Sequence, residues 1–341
     1  MKFGIVGPIS KDHVVWPDGE EVSGFGAVAY SATALAKLLE GTDDSVVCLS
    51  HISPADAAEV KQLLDHPNIS LPHQHGHCTG TEIELRYIDR HERVSRQVRS
   101  MTPVSLDEIA LVADCDYILL MPLNETDIPL EWVRALRRSS RAVIFLDAHG
   151  LITGLGADGE RFRKNWSDKT EWLNYIDILK MNDKEISWAA GRFLGAYGDY
   201  VNYALEVVQQ GLKACWVTFG NRSSLVACRR DNRIFWANVP VMEIGQVVDT
   251  TGCGDSASAG FLYSYAKLFN PVFAVVMGNT LGSVKASFHK TEEFPTQPEV
   301  QGMIYQHYRD YLHRLLDEFL SQQHLIIHEV KEEKADESAL H

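Results

Sequence analysis

The strongest constraint on the fold is a regular alternation between short apolar runs and longer segments with helical spacing. Runs of strand length such as FGIVG, VVCLSHI and AVIFLDA are separated by segments such as AVAYSATALAKLL, whose apolar residues recur at helical intervals. The short runs are apolar throughout, which is typical of strands covered on both faces. This βαβ rhythm predicts an α/β fold with a doubly wound, mainly parallel sheet and helices on both faces.

One interval interrupts this rhythm. From about Cys78 to Arg99, the segment TEIELRYIDRHERVSRQV alternates apolar and polar residues around the turn-like DRHE, which indicates an antiparallel hairpin. We expect a small β lid, inserted around residues 78–100; an edge hairpin of the main sheet is the alternative. The hairpin also supplies local positive charge, at Arg86, Arg90, Arg93, Arg96 and Arg99; we expect most of these to be solvated strand residues and one or two to be candidates for meeting an anionic acceptor.

The rest of the chain has a simple predicted organisation. Residues 1–300 are predicted to form one domain that includes the lid. The segment MIYQHYRDYLHRLLDEFL predicts a helix at residues 301–323, which either packs on the domain or forms an oligomer contact. Residues 324–341 contain no core-forming pattern, so we expect a disordered tail.

Charge and cysteine usage exclude several classes of protein. The chain has 32 Lys and Arg against 46 Asp and Glu, a formal net charge of −14, and no basic run that would follow a nucleic-acid backbone. Its six cysteines have no paired spacing, which favours free thiols in a reducing compartment. MKFGIVGPIS predicts a first strand rather than a signal peptide, and no segment is long enough for a membrane span. We therefore expect a cytoplasmic protein with neither nucleic acid nor membrane as a partner.

The segment VVDTTGCGDSASAGF carries the clearest chemical signal. Gly252 and Gly254 precede a helix of small residues, so their backbone can approach an anion at the helix N-terminus, where N–H groups lack partners. Asp255 lies in the first turn of that helix. The carboxylate could simply complement the helix dipole. Beside an anion site, it also suits phosphoryl transfer, in which a base takes a hydroxyl proton while donors hold the transferring group.

The motif DTTGCGD resembles the DTxGAGD signature of the PfkB, or ribokinase-like, family of ATP-dependent small-molecule kinases, with Cys253 in place of the usual Ala. The resemblance implies a ribokinase-like fold and extends in motif order from Phe3 to about Phe294. It also implies that Asp255 is the catalytic base and that the amides of Gly252, Cys253 and Gly254 stabilise the transferring phosphoryl group. A redox role for Cys253 is an alternative to a simple replacement of Ala.

Three further segments resemble the family's donor site. KMNDKE resembles KPNxxE, which implies that Asn182 and Glu185 organise Mg²⁺ and phosphates through waters; a helix N-cap is the alternative for Asn182. WVTFGNRSSLV resembles a strand ending in VTxGxxG, which assigns Thr218 and Gly220 to the nucleotide, although serine replaces the second Gly. In VMGNTLGSVKASF, Asn279 is either an adenine-pocket residue or a helix-surface residue. The implied cofactors are ATP and Mg²⁺.

The segment from Gly7 to Leu38 resembles the family's acceptor site. Asp12 is placed to accept hydrogen bonds from hydroxyl groups, near the carboxyl edge of the predicted sheet, with a turn residue as the alternative. Gly24 and Gly26 flank Phe25, which replaces one glycine of the family's GG pair. Tyr30 replaces an Asn that contacts the acceptor in many sugar kinases. These departures favour acceptors other than ribose or fructose.

Together these residues imply an ATP-dependent phosphotransferase that acts on a hydroxyl of a small polyhydroxylated molecule such as a sugar, sugar acid, inositol or nucleoside. Asp249 and nearby carbonyls are the candidates for a monovalent cation such as K⁺, as in some family members. A homodimer through the lid is a further hypothesis. The alternative function is a non-catalytic small-molecule sensor of the same fold, suggested by the altered acceptor turn and the extra C-terminal segment.

Two other patterns point to different chemistry. GFGAVA fits a dinucleotide-binding fingerprint, but the preceding PDGEEVS is polar rather than an apolar strand, which disfavours a dehydrogenase. HQHGHC places His73, His75 and His77 at alternate positions before Cys78, so the choice is between a zinc site and exposed loop histidines. A Walker A loop is absent from the sequence.

Overall fold

The computed structural model describes residues 1–72, 78–88, 93–289, 294–321 and 326–330, apart from the side chains of Arg93 and Phe319. Short 3₁₀ helices lie at Leu106–Leu111 and Ala148–Ile152. The α-helices are α1 (Val28–Leu38), α2 (Ala57–Leu63), α3 (Leu130–Ser139), α4 (Lys169–Leu173), α5 (Ile186–Ala190), α6 (Tyr197–Gln209), α7 (Cys253–Leu268), α8 (Pro271–Lys285) and α9 (Gln297–Ser321). The strands are β1 (Lys2–Val6), β2 (Ile9–Val15), β3 (Glu21–Ala27), β4 (Ser45–Leu49), β5 (Ile69–Ser70), β6 (Glu82–Tyr87), β7 (Arg93–Arg99), β8 (Tyr117–Leu120), β9 (Val143–Asp147), β10 (Thr153–Leu155), β11 (Arg161–Arg163), β12 (Ile178–Asn182), β13 (Ala214–Thr218), β14 (Ser223–Arg230), β15 (Arg233–Pro240) and β16 (Ile327–Val330).

A large sheet forms the centre of the molecule. In the described part of the chain it has ten strands in the order β16-β15-β14-β13-β12-β9-β8-β1-β4-β5. The strands from β13 to β5 are parallel, and β14, β15 and β16 add an antiparallel edge. Chain order reverses between β1 and β8, so the carboxyl ends of these strands border the crevice where such sheets bind ligands. The prediction of a doubly wound, mainly parallel sheet is confirmed.

Helices cover both faces of this sheet, as the unbroken apolar runs predict. In β8, Tyr117 and Leu119 join one core, whereas Ile118 and Leu120 join the other, because successive side chains of a strand point to opposite faces. The first core packs against α1, α7, α8 and α9. The second packs against α3 and α6.

A separate four-stranded sheet forms the lid, in the order β3-β2-β6-β7. The hairpin predicted around residues 78–100 is present as β6 and β7, although its turn, DRHE, lies outside the described residues. The lid is larger than predicted, because β2 and β3 join it from residues 9–27 and β2 pairs in parallel with β6. Such a pairing depends on contacts across the fold, which local sequence patterns do not report. A homodimer through this lid stays a prediction.

The C-terminal segment packs on the domain. Tyr308 of α9 donates a hydrogen bond to the Pro240 carbonyl at 2.9 Å and accepts one from the Met242 N–H. The expectation of disorder from residue 324 onward is wrong for Ile327–Val330, which pairs with β15 as β16; residues 331–341 lie outside the described residues. None of the helices in the described ranges is long and apolar enough to cross a membrane.

One buried carboxylate holds the last strand to the last helix. The side chain of Glu318 in α9, which is 4% exposed, accepts hydrogen bonds from the backbone N–H groups of Ile326 and Ile327 at 2.9 Å. We expect Glu318→Ala to lower the free energy of unfolding by about 1–3 kcal/mol, because it leaves two N–H groups without their acceptor. Urea unfolding measures this loss. The exposed neighbour variant Asp317→Ala should stay within about 0.5 kcal/mol of wild type. Equal stability of both variants would contradict this role for Glu318.

Candidate active site

A cavity of about 410 Å³ lies between the carboxyl ends of β9, β12 and β13 and the inner face of the lid. The last residues of these three strands, Asp147, Asn182 and Thr218, all line it. The start of α7 closes one side. The lid contributes the side chains that alternate toward the sheet on β2, β6 and β7, namely Ser10, Asp12, Ile83, Leu85 and Ser95.

The start of α7 has the geometry of an anion site. Gly252 precedes the helix with φ of 78°, a left-handed conformation that favours glycine. A Cβ at this position would lie 2.4 Å from Cδ2 of Tyr30, so the buried phenol packs directly against the loop. Among the described residues, the N–H groups of Gly252 and Gly254 have no hydrogen-bond acceptor. Both N–H groups are therefore available to a ligand.

Asp255 lines the cavity in the first turn of α7. Burial, reinforced by the nearby Asp147 carboxylate, raises its pKa to about 6, while the positive charges of Lys180 and Lys285 limit the rise. Within the described part of the chain no group donates a hydrogen bond to its carboxylate. A carboxylate with this pKa has a proton affinity close to the one that general-base catalysis requires at neutral pH.

Lys180 fixes the position of α7, a role that the sequence did not reveal. Its buried Nζ donates to Asp147 Oδ2 at 2.6 Å, to the Gly254 carbonyl at 2.8 Å and to Ser258 Oγ at 2.9 Å. These contacts join β9 and β12 to the first turn of α7. The signal available in the sequence was a lysine inside an otherwise apolar strand, at the start of KMNDKE.

Glu185 is buried in a network of positive and polar groups. Its Oε1 accepts from His149 Nδ1 at 2.7 Å and lies 3.2 Å from an Arg163 nitrogen, and its Oε2 accepts from the Asn182 N–H at 3.0 Å. Burial alone would raise its pKa, but these partners outweigh burial and lower it to about 2. The Asn182 side chain accepts from the N–H groups of Lys184 and Glu185, so it caps the following turn, which was the alternative reading.

A wall formed by His149, Arg161 and Arg163, in which the two arginines carry the positive charge, was missed from the sequence. Arg161 donates to His149 Nε2 at 3.0 Å and to the Leu123 carbonyl at 2.8 Å, and all three basic side chains line the cavity. The alternate spacing in RFR was the available signal, since it places both arginines on one face of β11. Of the five lid arginines named as candidates to meet an anionic acceptor, three have side chains that the structure describes: Arg86, Arg96 and Arg99. None of these three lines the cavity.

The other predicted donor residues separate into two groups. Thr218 lines the cavity beside Asn182. Gly220 lies in the turn after β13 with φ of 61° and does not line this cavity. Asn279 is 5% exposed and therefore does not lie on a helix surface. Its side chain accepts a hydrogen bond from Ser224 Oγ at 2.7 Å and donates one to the Pro240 carbonyl at 3.2 Å. In this arrangement Asn279 helps to hold the core together.

Of the predicted acceptor residues, Asp12, Gly24 and Gly26 lie together on the lid, and Tyr30 lies in the first turn of α1. Asp12 of β2 is opposite Gly24 of β3, and a Cβ on Gly26 would lie 2.2 Å from Asp12 Oδ2, so Gly26 leaves room for the carboxylate. Asp12 and Tyr30 also line a second cavity of about 690 Å³, together with Gly24 and Phe25. The two cavities therefore share the Asp12 carboxylate.

Asp249 does not have the surroundings expected of a K⁺ ligand. Its Oδ2 lies 3.5 Å from the buried Lys285 Nζ and 3.6 Å from His289 Nδ1, and its Oδ1 accepts from the Thr251 N–H at 2.9 Å. A fixed ammonium thus already faces this carboxylate. The described residues around Asp249 do not fit a monovalent-cation site.

The alternative chemistries have little support in this geometry. GFGAVA forms the end of the lid strand β3 and the start of α1, so no strand of the parallel sheet precedes it as a dinucleotide site requires. Burial raises the pKa of the Cys253 thiol to about 12, which disfavours the reactive thiolate. His73, His75 and His77 lie outside the described residues. Among the described residues, no group of three His, Cys, Asp or Glu side chains could hold a metal ion.

Part of the chain is similar in sequence to known proteins. The model of the pfkB family carbohydrate kinase matches residues 161–297, which contain KMNDKE, WVTFG and DTTGCGD. The chain is 31% identical to 1-phosphofructokinase of Bacillus subtilis (strain 168) over 128 residues, 36% of this chain and 41% of that protein. It is 26% identical to ribokinase of Arabidopsis thaliana over 158 residues, 46% of this chain and 37% of that protein. The match spans less than half the length of each relative.

Solved structures share the fold over most of the chain. A pyrophosphate-dependent kinase in the ribokinase family, in a sulfate complex, has a TM-score of 0.70 and 21% identity, covering 88% of this chain and 100% of that one. Arabidopsis thaliana ribokinase complexed with ribose and ATP has a TM-score of 0.67 and 17% identity, covering 89% and 98%. The predicted ribokinase-like fold is confirmed, and the named relatives are kinases.

The packing of Tyr30 on Gly252 allows a stability test of the loop. Gly252→Ala would place a side chain at positive φ, which costs about 1–3 kcal/mol, and would press its Cβ into a buried ring. We expect a loss of at least that size in urea unfolding. Gly254→Ala is the matched control, because its Cβ would make only an ordinary contact, 3.5 Å from Lys180 Nζ. If Gly252→Ala were as stable as Gly254→Ala, the loop geometry would be wrong.

Proposed function

We propose, from the pfkB family match over residues 161–297 and the shared ribokinase fold, that this chain is a phosphotransferase that moves a phosphoryl group from ATP to a hydroxyl of a small polyhydroxylated molecule. The observation that carries the proposal is Asp255, a carboxylate with a raised pKa beside free helix N-terminal amides in one cavity. A base and an anion site in contact with the same small volume are the two parts that phosphoryl transfer requires.

The donor phosphates fit at the start of α7. The N–H groups of Gly252 and Gly254 and the positive end of the helix favour negative charge there, whereas the Cys253 N–H already donates to the Thr250 carbonyl at 3.4 Å. The wall of His149, Arg161 and Arg163 lines the same cavity and is suited to phosphoryl oxygens. Thr218 and Gly220 remain the proposed contacts to the nucleotide. Asn279 is proposed only as a support for that region, because its polar atoms are already bonded.

A divalent cation fits this site through water rather than by direct ligation. Glu185 has a pKa of about 2 and is ionised at neutral pH; its partners use three of the roughly four acceptor positions of a carboxylate. The remaining position can accept from a water of hydration, and Mg²⁺ usually keeps several such waters. Bound to the donor phosphates, Mg²⁺ would neutralise charge that develops during transfer.

The residues of this chain divide the chemical step between them. Asp255 accepts the proton of the acceptor hydroxyl as the hydroxyl oxygen attacks the terminal phosphorus of ATP, and the bond from that phosphorus to ADP breaks so that ADP leaves. Lys180, through the Gly254 carbonyl and Asp147, keeps the first turn of α7 in place. The lid lies over the cavity and excludes water, which would otherwise compete as the acceptor.

The lid's inner face defines the proposed acceptor class. Asp12, Ser10 and Ser95 offer hydrogen-bonding groups to hydroxyls, and Ile83 and Leu85 offer apolar surface to ring carbons. A cavity of about 410 Å³ suits one small ring rather than an oligosaccharide. Sugars, sugar acids, inositols and nucleosides fit this description. A structural neighbour of 21% identity, a pyrophosphate-dependent kinase, was solved with myo-inositol, which makes inositols and pyrophosphate useful members of a test panel.

The variant Asp255→Asn tests the proposed base. This change removes the base while keeping size, so turnover should fall about 10²–10⁴-fold with ATP binding retained. Mass spectrometry of a pooled acceptor panel, incubated with Mg²⁺ and either ATP or pyrophosphate, measures product with both proteins. Wild-type turnover in the variant would refute the base assignment. Tight binding of a panel member without transfer by either protein would instead favour the sensor function.

The raised pKa of Asp255 predicts how the rate and the stability of the protein depend on pH. Because Asp255 must be ionised to accept a proton, kcat/KM should rise with pH through an apparent pKa near 6. A folded-state pKa above the ordinary value of 3.8 means that the folded protein holds this proton longer, so Asp255 lowers stability as pH rises from about 4 to 6. Asp255→Asn should therefore have a higher Tm than wild type above pH 6. A flat rate profile together with an unchanged Tm would contradict both statements.

A further inference from the structure

A buried ammonium lies behind the anion-binding loop. Lys285, the last residue of α8, has 0% exposure, and its Nζ donates to the Phe288 carbonyl at 2.9 Å. The same Nζ lies 3.5 Å from Asp249 Oδ2. The rings of Tyr30 and Phe288 complete the surroundings, with centroids 5.1 Å and 5.4 Å away. Carboxylate, carbonyl and ring faces are the groups that hold a desolvated monovalent cation.

This ammonium is tied to the catalytic loop by short connections. The N–H groups of Val248 and Asp249 donate to the Ala286 carbonyl at 2.7 Å and 3.1 Å, so the loop is anchored at the C-terminal end of α8. Asp249 also accepts from the Thr251 N–H, one residue before Gly252. A positive charge at the end of α8 is further favoured by the helix dipole. Asp249 therefore transmits the position of Lys285 to the residues that begin α7.

We propose that the Lys285 ammonium takes the place of the monovalent cation at Asp249, so that this chain needs no K⁺ to hold its anion-binding loop. The Asp249 carboxylate offers one negative charge, and Lys285 already balances it from a buried position that the ion would have to share. His289 Nδ1, 3.6 Å from the same oxygen, adds no negative charge for a second cation. A covalently attached cation also makes the loop independent of the ion concentration.

Lys285 is accordingly a positioning residue, which acts through Asp249 and not on the substrate. Replacing it with Ala leaves a space bordered by the Asp249 carboxylate and the Phe288 carbonyl, which K⁺ or ammonium ion can enter. Replacing it with Met keeps the stem and fills that space, but leaves the carboxylate unbalanced. The two variants therefore separate loss of charge from loss of volume.

Thermal unfolding tests the proposal without any assumption about activity. At constant ionic strength, we expect wild type to have the same Tm in K⁺ as in choline. Lys285→Ala should have a lower Tm in choline and recover part of the loss in K⁺ or ammonium, whereas Lys285→Met should be destabilised without recovery. Lys267→Ala, which removes a part-exposed lysine paired with Asp44, is the matched control and should show no ion-specific change. A K⁺-specific rise in the wild-type Tm would overturn the proposal, even if neither Lys285 variant folds.

The kinetic arm rests on the proposed function. With the acceptor found by the panel, wild-type kcat should be equal in K⁺ and choline, and Lys285→Ala should lose roughly 10- to 100-fold in kcat and regain activity with K⁺ or ammonium. Transfer by wild type that requires K⁺ would refute the role of Lys285 and leave the kinase function standing. Absence of transfer under every condition would instead refute the function, and the Tm comparison would still decide the role of Lys285.

Discussion

The rest of the site depends on the buried ion pair between Lys180 and Asp147. It joins the ends of two parallel strands and, through the Gly254 carbonyl, fixes the first turn of α7 against the sheet. Breaking a buried pair by removing one partner typically costs about 3–5 kcal/mol, because the other charge is left uncompensated. Loss of either partner would therefore lower the free energy of unfolding substantially. The ion pair keeps the helix amides and the Asp255 carboxylate in one fixed relation to the cavity, as preorganised stabilisation of a transition state requires.

Two ammonium groups hold the catalytic turn from different sides. Lys180 contacts it from the sheet, and Lys285 contacts the preceding loop from the end of α8. Both lower the pKa of Asp255, while burial and Asp147 raise it, and the balance is a value of about 6. The same charges that position the turn therefore also set the pKa of its carboxylate.

The two halves of the site were not equally visible in the sequence. The donor half lies within short continuous segments, so DTTGCGD and KMNDKE could be located by their residue types and spacing, and the family match covers them. The acceptor half is assembled from β2, β3, β6 and β7, and half of that lid was missed. His149, Arg161 and Arg163 were missed as well, because a wall built from β11 and the 3₁₀ helix after β9 exists only after these elements are placed. For Asn279, local resemblance did not reveal that its side chain is hydrogen-bonded to Ser224 and Pro240 in the core.

The sequence by itself determined the α/β class, the parallel sheet and the place of Asp255 at a helix start. These features follow from local causes: apolar runs of strand length, small residues in a helix, and glycines that allow a left-handed turn before it. Only the tertiary structure decided which charges meet. Lys285 comes thirty-six residues after Asp249, which lies in the loop before α7, and it is the last residue of α8. No spacing rule predicts that its ammonium faces the Asp249 carboxylate. Electrostatic partners are selected by the packing of whole elements, and packing brings together residues that are far apart along the chain.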